Sequence, residues 1–138
     1  MSAPDFERLW TQQDQATRDS LLRARFRWDR CGFLRFCLPL VFDSPFNAFH
    51  RAVLVAEKRH WVDQLVNERR LNLAPRGLGK STIKKVDLAH SIVYGLRRFV
   101  VVICATRPDA RDWALTLQDW FRTPTDGTAD LHRLFGPF

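Results

Sequence analysis

Residues 71 to 85 read LNLAPRGLGKSTIKK. Gly79, Lys80 and Ser81 stand in the order of a phosphate-binding loop, where backbone N–H groups curl round a phosphate and the following helix adds its positive end. The strict form, G-x-x-x-x-G-K-[ST], has glycine where this chain has Ala74. That position is a junction of strand and loop, and alanine costs little there while φ stays negative. Pro75 has no N–H to offer and stiffens the entry instead. Gly77 and Gly79 supply backbone freedom on either side of Leu78, and Lys80 is placed to reach the β- and γ-phosphates. The Ser81 hydroxyl is placed to hold Mg²⁺, and Thr82 completes the binding stretch that begins at Arg76. Arg76 reads two ways: as a catalytic cation near the γ-phosphate, or as the partner of a carboxylate outside the site. A nucleotide with Mg²⁺ is the ligand this loop predicts.

The flanking pattern supports a fold around the loop. Leu71 and Leu73 alternate with Arg70 and Asn72, which predicts a short strand from Arg70 to Ala74. Ile83, Val86, Ala89, Ile92 and Val93 recur at helical spacing between Ser81 and Gly95, and Gly95 is a plausible stop. FVVVICA, residues 99 to 105, is the kind of β-branched run that predicts a parallel strand buried on both faces. Thr106-Arg107-Pro108-Asp109 starts a helix to about Phe121, and LHRLFG closes the chain as a short one. Upstream, Asn47 is placed to cap a helix reaching about Asn67, and residues 5 to 29 read as helical. Between them DRCGFLRFCLPLVFDSPF, dense in aromatics and broken by Gly32, Pro39 and Pro45, reads as a covering segment rather than a core element. Strand, loop, helix, strand and helix in that order predict an α/β domain with a parallel sheet, preceded by helices. The boundaries are 1–45 for a helical, basic segment and 46–138 for the domain carrying the loop.

Composition fits a folded, soluble chain with an anionic partner. The 138 residues include five Trp and eleven Phe, enough apolar surface for one domain with a core. The formal charge of +7 is spread over both halves, with 12 basic against 9 acidic residues up to Arg70 and 10 against 6 beyond. Six arginines between Arg18 and Arg35 read either as a solvated helix face or as a nucleic-acid contact. Cys31, Cys37 and Cys104 form no C-x-x-C and read as reduced, buried thiols of a cytoplasmic protein. His50, His60, His90 and His132 lie too far apart in sequence to suggest a metal cluster. No apolar run approaches the roughly 20 residues needed to span a bilayer, so no membrane partner is expected.

Taken together, A-P-R-G-L-G-K-S-T at 74 to 82 is similar to the R-G-x-G-K-S/T form of the Walker A loop in the large terminase subunit of tailed bacteriophages. PFNAFHRAVL resembles the segment that precedes the first strand of that motor, FVVVICATRPDARDWALTLQDW its second strand and next helix, and LHRLFGPF its L-x-x-x-F-G stretch. The resemblance covers roughly residues 30 to 138, and the loop is its one highly specific motif. It implies a RecA-like P-loop fold with an additional strand, and an ATPase that drives double-stranded DNA into a capsid. It also implies an oligomeric ring on a portal protein, a small terminase subunit as partner and, in full-length members, a nuclease. In the host bacterial cytoplasm such a motor would bind phosphate through Lys80, Mg²⁺ through Ser81 and the γ-phosphate through Arg76. The adenine would lie near Phe46 to Arg51, where many members carry a glutamine; this chain has none there, leaving His50 or Arg51 as substitutes.

Hydrolysis in this family also needs a Walker B strand, apolar residues ending in Asp-Glu, and none follows Ala105. The one lookalike, PLVFDS at 39 to 44, lies upstream and begins with proline, so Asp43 reads as a turn cap. The chain is therefore expected to be the front part of such a motor. Two alternatives stand beside this reading: a helicase-like P-loop ATPase fragment, and a non-catalytic basic module binding DNA or a partner through a vestigial loop.

Overall fold

The computed structural model describes residues 13–41, 45–62, 79–96 and 99–138, with the backbone alone for 56–62. Its elements are α1 (Gln15–Phe26), α2 (Arg30–Cys37), a 3-10 turn (Pro39–Val41), α3 (Ala48–Val62), α4 (Lys80–Val93), α5 (Arg107–Arg122) and α6 (Ala129–Phe135).

Local chemistry sets the helix starts. Asp14 accepts from the Thr17 N–H at 2.6 Å and opens α1. Asp29 accepts from Gly32 N–H at 2.8 Å and opens α2, and Asn47 accepts from His50 N–H at 3.0 Å ahead of α3. Thr106 caps α5 through Asp109 N–H, with Pro108 in the first turn. Each side-chain oxygen satisfies a backbone donor that has no partner inside its helix. Gly95, at φ +60°, follows α4 as the expected stop.

The expected α/β architecture is not what these residues form. The described residues are 69% α-helical and contain no β-strand, so neither a parallel sheet nor a P-loop NTPase fold is present among them. Residues 99–105 take no regular secondary structure and make no ladder among the described residues. They are also far from buried, with Phe99 83% and Ile103 90% exposed. A β-branched run sets a preference for extended backbone, whereas a strand exists only once a neighbour takes up its N–H and C=O groups. The run supplied the preference alone. The expected partner strand, Arg70 to Ala74, lies outside the described residues.

The centre lies instead in the aromatic segment expected to be a cover. Phe33, Leu34, Cys37 and Leu38 of α2 and its C-terminal end are fully buried, in one cluster with Phe26, Phe46, Val86, Leu131 and Leu134. Residues from both sides of position 45 therefore share one core. Arginines and glycine break up the apolar pattern of RCGFLRFC, yet Phe33, Leu34 and Cys37 fall on one stripe at helical spacing. Arg133 joins this core to its edge, pairing with Asp19 of α1 and with Asp130, and lying over the Phe36 ring.

A buried polar group sits where α1, α2 and α4 meet. Arg30 Nη1 lies 3.2 Å from Asp87 Oδ1, both side chains almost wholly buried. The two charges meet as an ion pair, not as an aligned hydrogen bond. Arg30 Nε donates to His90 Nδ1 at 3.4 Å, and His90 Nε2 lies 2.9 Å from the Phe26 carbonyl. A guanidinium can only donate, so Nδ1 must accept, and the ring proton belongs on Nε2, facing Phe26. Burial pulls the His90 ring down to about 4; the Phe26 carbonyl opposes that fall, and the charges of Arg30 and Arg27 add to it.

Asp87→Ala would leave the Arg30 charge buried without its carboxylate, and a loss of about 3–5 kcal/mol in a denaturant titration is expected. The apolar pair Arg30→Met with Asp87→Leu should recover most of that loss, because it removes both charges together. His90 gives a second expectation. Its proton is bound more tightly in the unfolded chain, so stability should fall as pH drops from about 6.5 toward 4. In His90→Gln the slope of unfolding free energy against pH over that window should flatten.

Candidate functional site

The loop that motivated the functional reading ends at the first turn of α4. Arg76, Gly77 and Leu78 lie outside the described residues; Gly79, Lys80, Ser81 and Thr82 are described. Gly79 takes φ +62°, ψ +24°, the left-handed region that glycine enters without a Cβ penalty. Its carbonyl accepts from Ile83 N–H at 2.9 Å, so the helix begins at once. Lys80 and Thr82 are half-buried and Ser81 is exposed.

This helix start differs from those of α1, α2 and α5. Each of those has a side-chain oxygen on its first turn, whereas glycine offers α4 none. The first N–H groups of a helix carry partial positive charge and no intrahelical partner, the arrangement that suits an anion. Lys80 and Lys84 stand one turn apart on α4, adding positive charge on the same side. Ser81 brings a hydroxyl that can serve as one Mg²⁺ ligand, the remainder coming from phosphate and water. The donor set thus fits a metal-bound polyphosphate. Among the described residues no cluster of three His, Cys, Asp or Glu could hold an ion by itself.

An open pocket of about 240 Å³ adjoins this turn. Lys80, Ser81, Ile83 and Lys84 form one side, Phe49 and Val53 of α3 another, and Trp113 of α5 the third. Lys85 ties α5 in place, binding Asp112 at 2.6 Å and Thr116 at 3.0 Å, with its ammonium 5.7 Å from the Trp113 ring centre. Nothing local links Trp113 to the loop, since 31 positions separate it from Thr82. A second hollow of about 520 Å³ lies between α4, α5 and residues 99–102, walled by apolar groups including Ile92, Val100, Val102 and Leu117.

Other candidates fall in different surroundings. His50 is buried, its Nδ1 3.4 Å from Asn47 N–H and its ring edge-on to Phe46 and Phe49, while Arg51 is exposed. The arginine-rich run is not one solvated face. Arg30 is interior, Arg23 donates to the Leu134 carbonyl, Arg25 pairs with Asp29 and Arg35 lies over Phe46. All three cysteines are free thiols, and burial pushes Cys37 up to about 12, which makes it a packing group and not a nucleophile. Asp43 lies outside the described residues. None of the described helices is long and apolar enough to cross a membrane.

Comparison with known proteins brings no match: no family model fits the chain, and no curated protein and no solved structure matches it.

Replacing Gly79 with alanine places a Cβ in the left-handed region, at a cost of about 1–2 kcal/mol. A urea titration of Gly79→Ala should show a loss of that size, while Gly77→Ala provides a comparison within the same loop.

Proposed function

We propose that residues 76 to 82 bind the polyphosphate of ATP with Mg²⁺, and that the chain is the ATP-binding part of a DNA-packaging motor of the terminase type. The observation that supports the first half is the start of α4: a left-handed glycine, no side-chain cap, then Lys80 and an exposed Ser81. Phosphate recognition at a helix start depends on the local N–H groups and the helix dipole, and neither requires a sheet beside it. Lys80 neutralises phosphate charge, Ser81 holds the metal, and Arg76 acts on the γ-phosphate.

The second half rests on the resemblance of residues 74–82, PFNAFHRAVL and LHRLFGPF to the large terminase subunit. On that reading double-stranded DNA, a portal protein and a small terminase subunit are the partners, with the host bacterial cytoplasm as the compartment. ATP hydrolysis is the activity of the whole motor. These 138 residues contain no apolar strand ending in Asp-Glu after the loop, so binding with little or no steady turnover is expected of them.

Calorimetric titration of Mg-ATP into the wild-type chain, with phosphate release followed in parallel, tests both statements. Saturable binding that weakens at least tenfold in Lys80→Ala, with no steady release, is the expected result. Absence of binding to the wild-type chain would overturn the nucleotide reading. Steady hydrolysis lost in Lys80→Ala would overturn the expectation of little turnover.

A further inference from the structure

We infer that Trp113 is the base-stacking residue of the nucleotide site, with the pocket between α3, α4 and α5 receiving the nucleobase; this rests on the phosphate reading above. Three observations lead there. The pocket begins at Lys80 and Ser81, so a ligand whose phosphates sit on the first turn of α4 has its remaining atoms beside this hollow. Its volume, about 240 Å³, is below the roughly 300–1,000 Å³ usual for a whole small-molecule ligand, which suits one flat ring system with the phosphates outside. Its lining is mostly aromatic or aliphatic: Phe49 and Trp113 come from different helices, beside Val53 and the fully buried Ile83.

Trp113 is the wall best suited to stacking. It is half-buried, so its ring remains accessible, and α5 is held to α4 by the bonds from Lys85 to Asp112 and Thr116. The Lys85 ammonium, already paired with Asp112, lies 5.7 Å from the same ring centre and leaves the stacking to the ring itself. Among the described lining residues the polar side chains are the Ser81 hydroxyl and two lysine ammoniums, and an ammonium only donates. Among the described residues, no paired donor and acceptor is available to read a base edge. The pocket therefore takes purines through their flat faces and discriminates weakly between adenine and guanine.

The test measures the affinity of the full chain for Mg-ATP, Mg-GTP and magnesium tripolyphosphate by calorimetry, in wild type, Trp113→Ala and Trp113→Phe. Thermal melts confirm that each variant folds. Tripolyphosphate carries the charge without the ring. Stacking predicts that Mg-ATP binds more tightly than tripolyphosphate and loses about tenfold in Trp113→Ala. Trp113→Phe should keep most of the affinity, tripolyphosphate should be indifferent to both changes, and Mg-GTP should lie within a few-fold of Mg-ATP. If Mg-ATP and tripolyphosphate bind equally and Trp113→Ala alters neither, the stacking role is overturned and the phosphate reading stands. Equal weakening of both ligands in Trp113→Ala would show Trp113 acting through the fold, and would overturn it too. A preference between the two purines well beyond tenfold would overturn recognition by ring faces alone. If the wild-type chain binds none of the three, the phosphate reading falls and this inference falls with it.

Discussion

The buried pair of Arg30 and Asp87 is the constraint around which the helices are arranged. Two opposite charges taken out of water are tolerated only where each meets the other, and their geometry leaves little room for adjustment. Arg30 is the first residue of α2 and Asp87 lies midway along α4, so the pair fixes where these helices cross. His90 adds a direction. Its Nδ1 takes the Arg30 donor while Nε2 turns to the Phe26 carbonyl at the end of α1, so three helices meet through one side chain. Ser91 is satisfied within α4, donating to the Asp87 carbonyl at 2.8 Å. The apolar residues Phe33, Val86 and Ala89 are buried with this centre, so a nonpolar core and a buried polar group occupy one arrangement.

How much of this was visible in the sequence depends on how local the cause is. The helix starts at Asn47 and Thr106 and the stop at Gly95 were legible because a cap is decided by residues three or four apart. The left-handed turn at Gly79 was legible for the same reason. The error at residues 99–105 has the opposite origin, since β-branched composition says what the backbone prefers and nothing about whether a partner lies alongside. In DRCGFLRFCLPL the glycine and prolines mask the helical stripe of Phe33, Leu34 and Cys37. Arg30 was hidden among five other arginines. A signal for its partner did exist: Asp87 lies four residues after Ile83 and three before His90, on the apolar stripe of α4, where an acid without a buried cation would be costly. Trp113 could not have been found this way, because nothing in its own neighbourhood reports that α5 packs beside the loop.

Both halves of α4 follow from one division of labour. Its C-terminal half holds Asp87, His90 and Ser91, all buried and bonded into the frame. Its N-terminal turn lies about 12 Å away along the axis, at 1.5 Å per residue from Gly79 to Asp87. There the residues change character: a left-handed glycine, lysines at 80, 84 and 85, and an exposed serine. An anion site needs N–H groups that no side chain of its own has claimed, and such an end would fray if nothing else held the helix. Charges deep in the core anchor α4 although Gly79 gives its start no side-chain cap. Lys85 extends the same logic outward, because by fastening α5 it brings Trp113 to the rim of that turn. The polar lock, the uncapped turn and the aromatic wall thus form one chain of dependence, running from Arg30 along α4 to the pocket at its start.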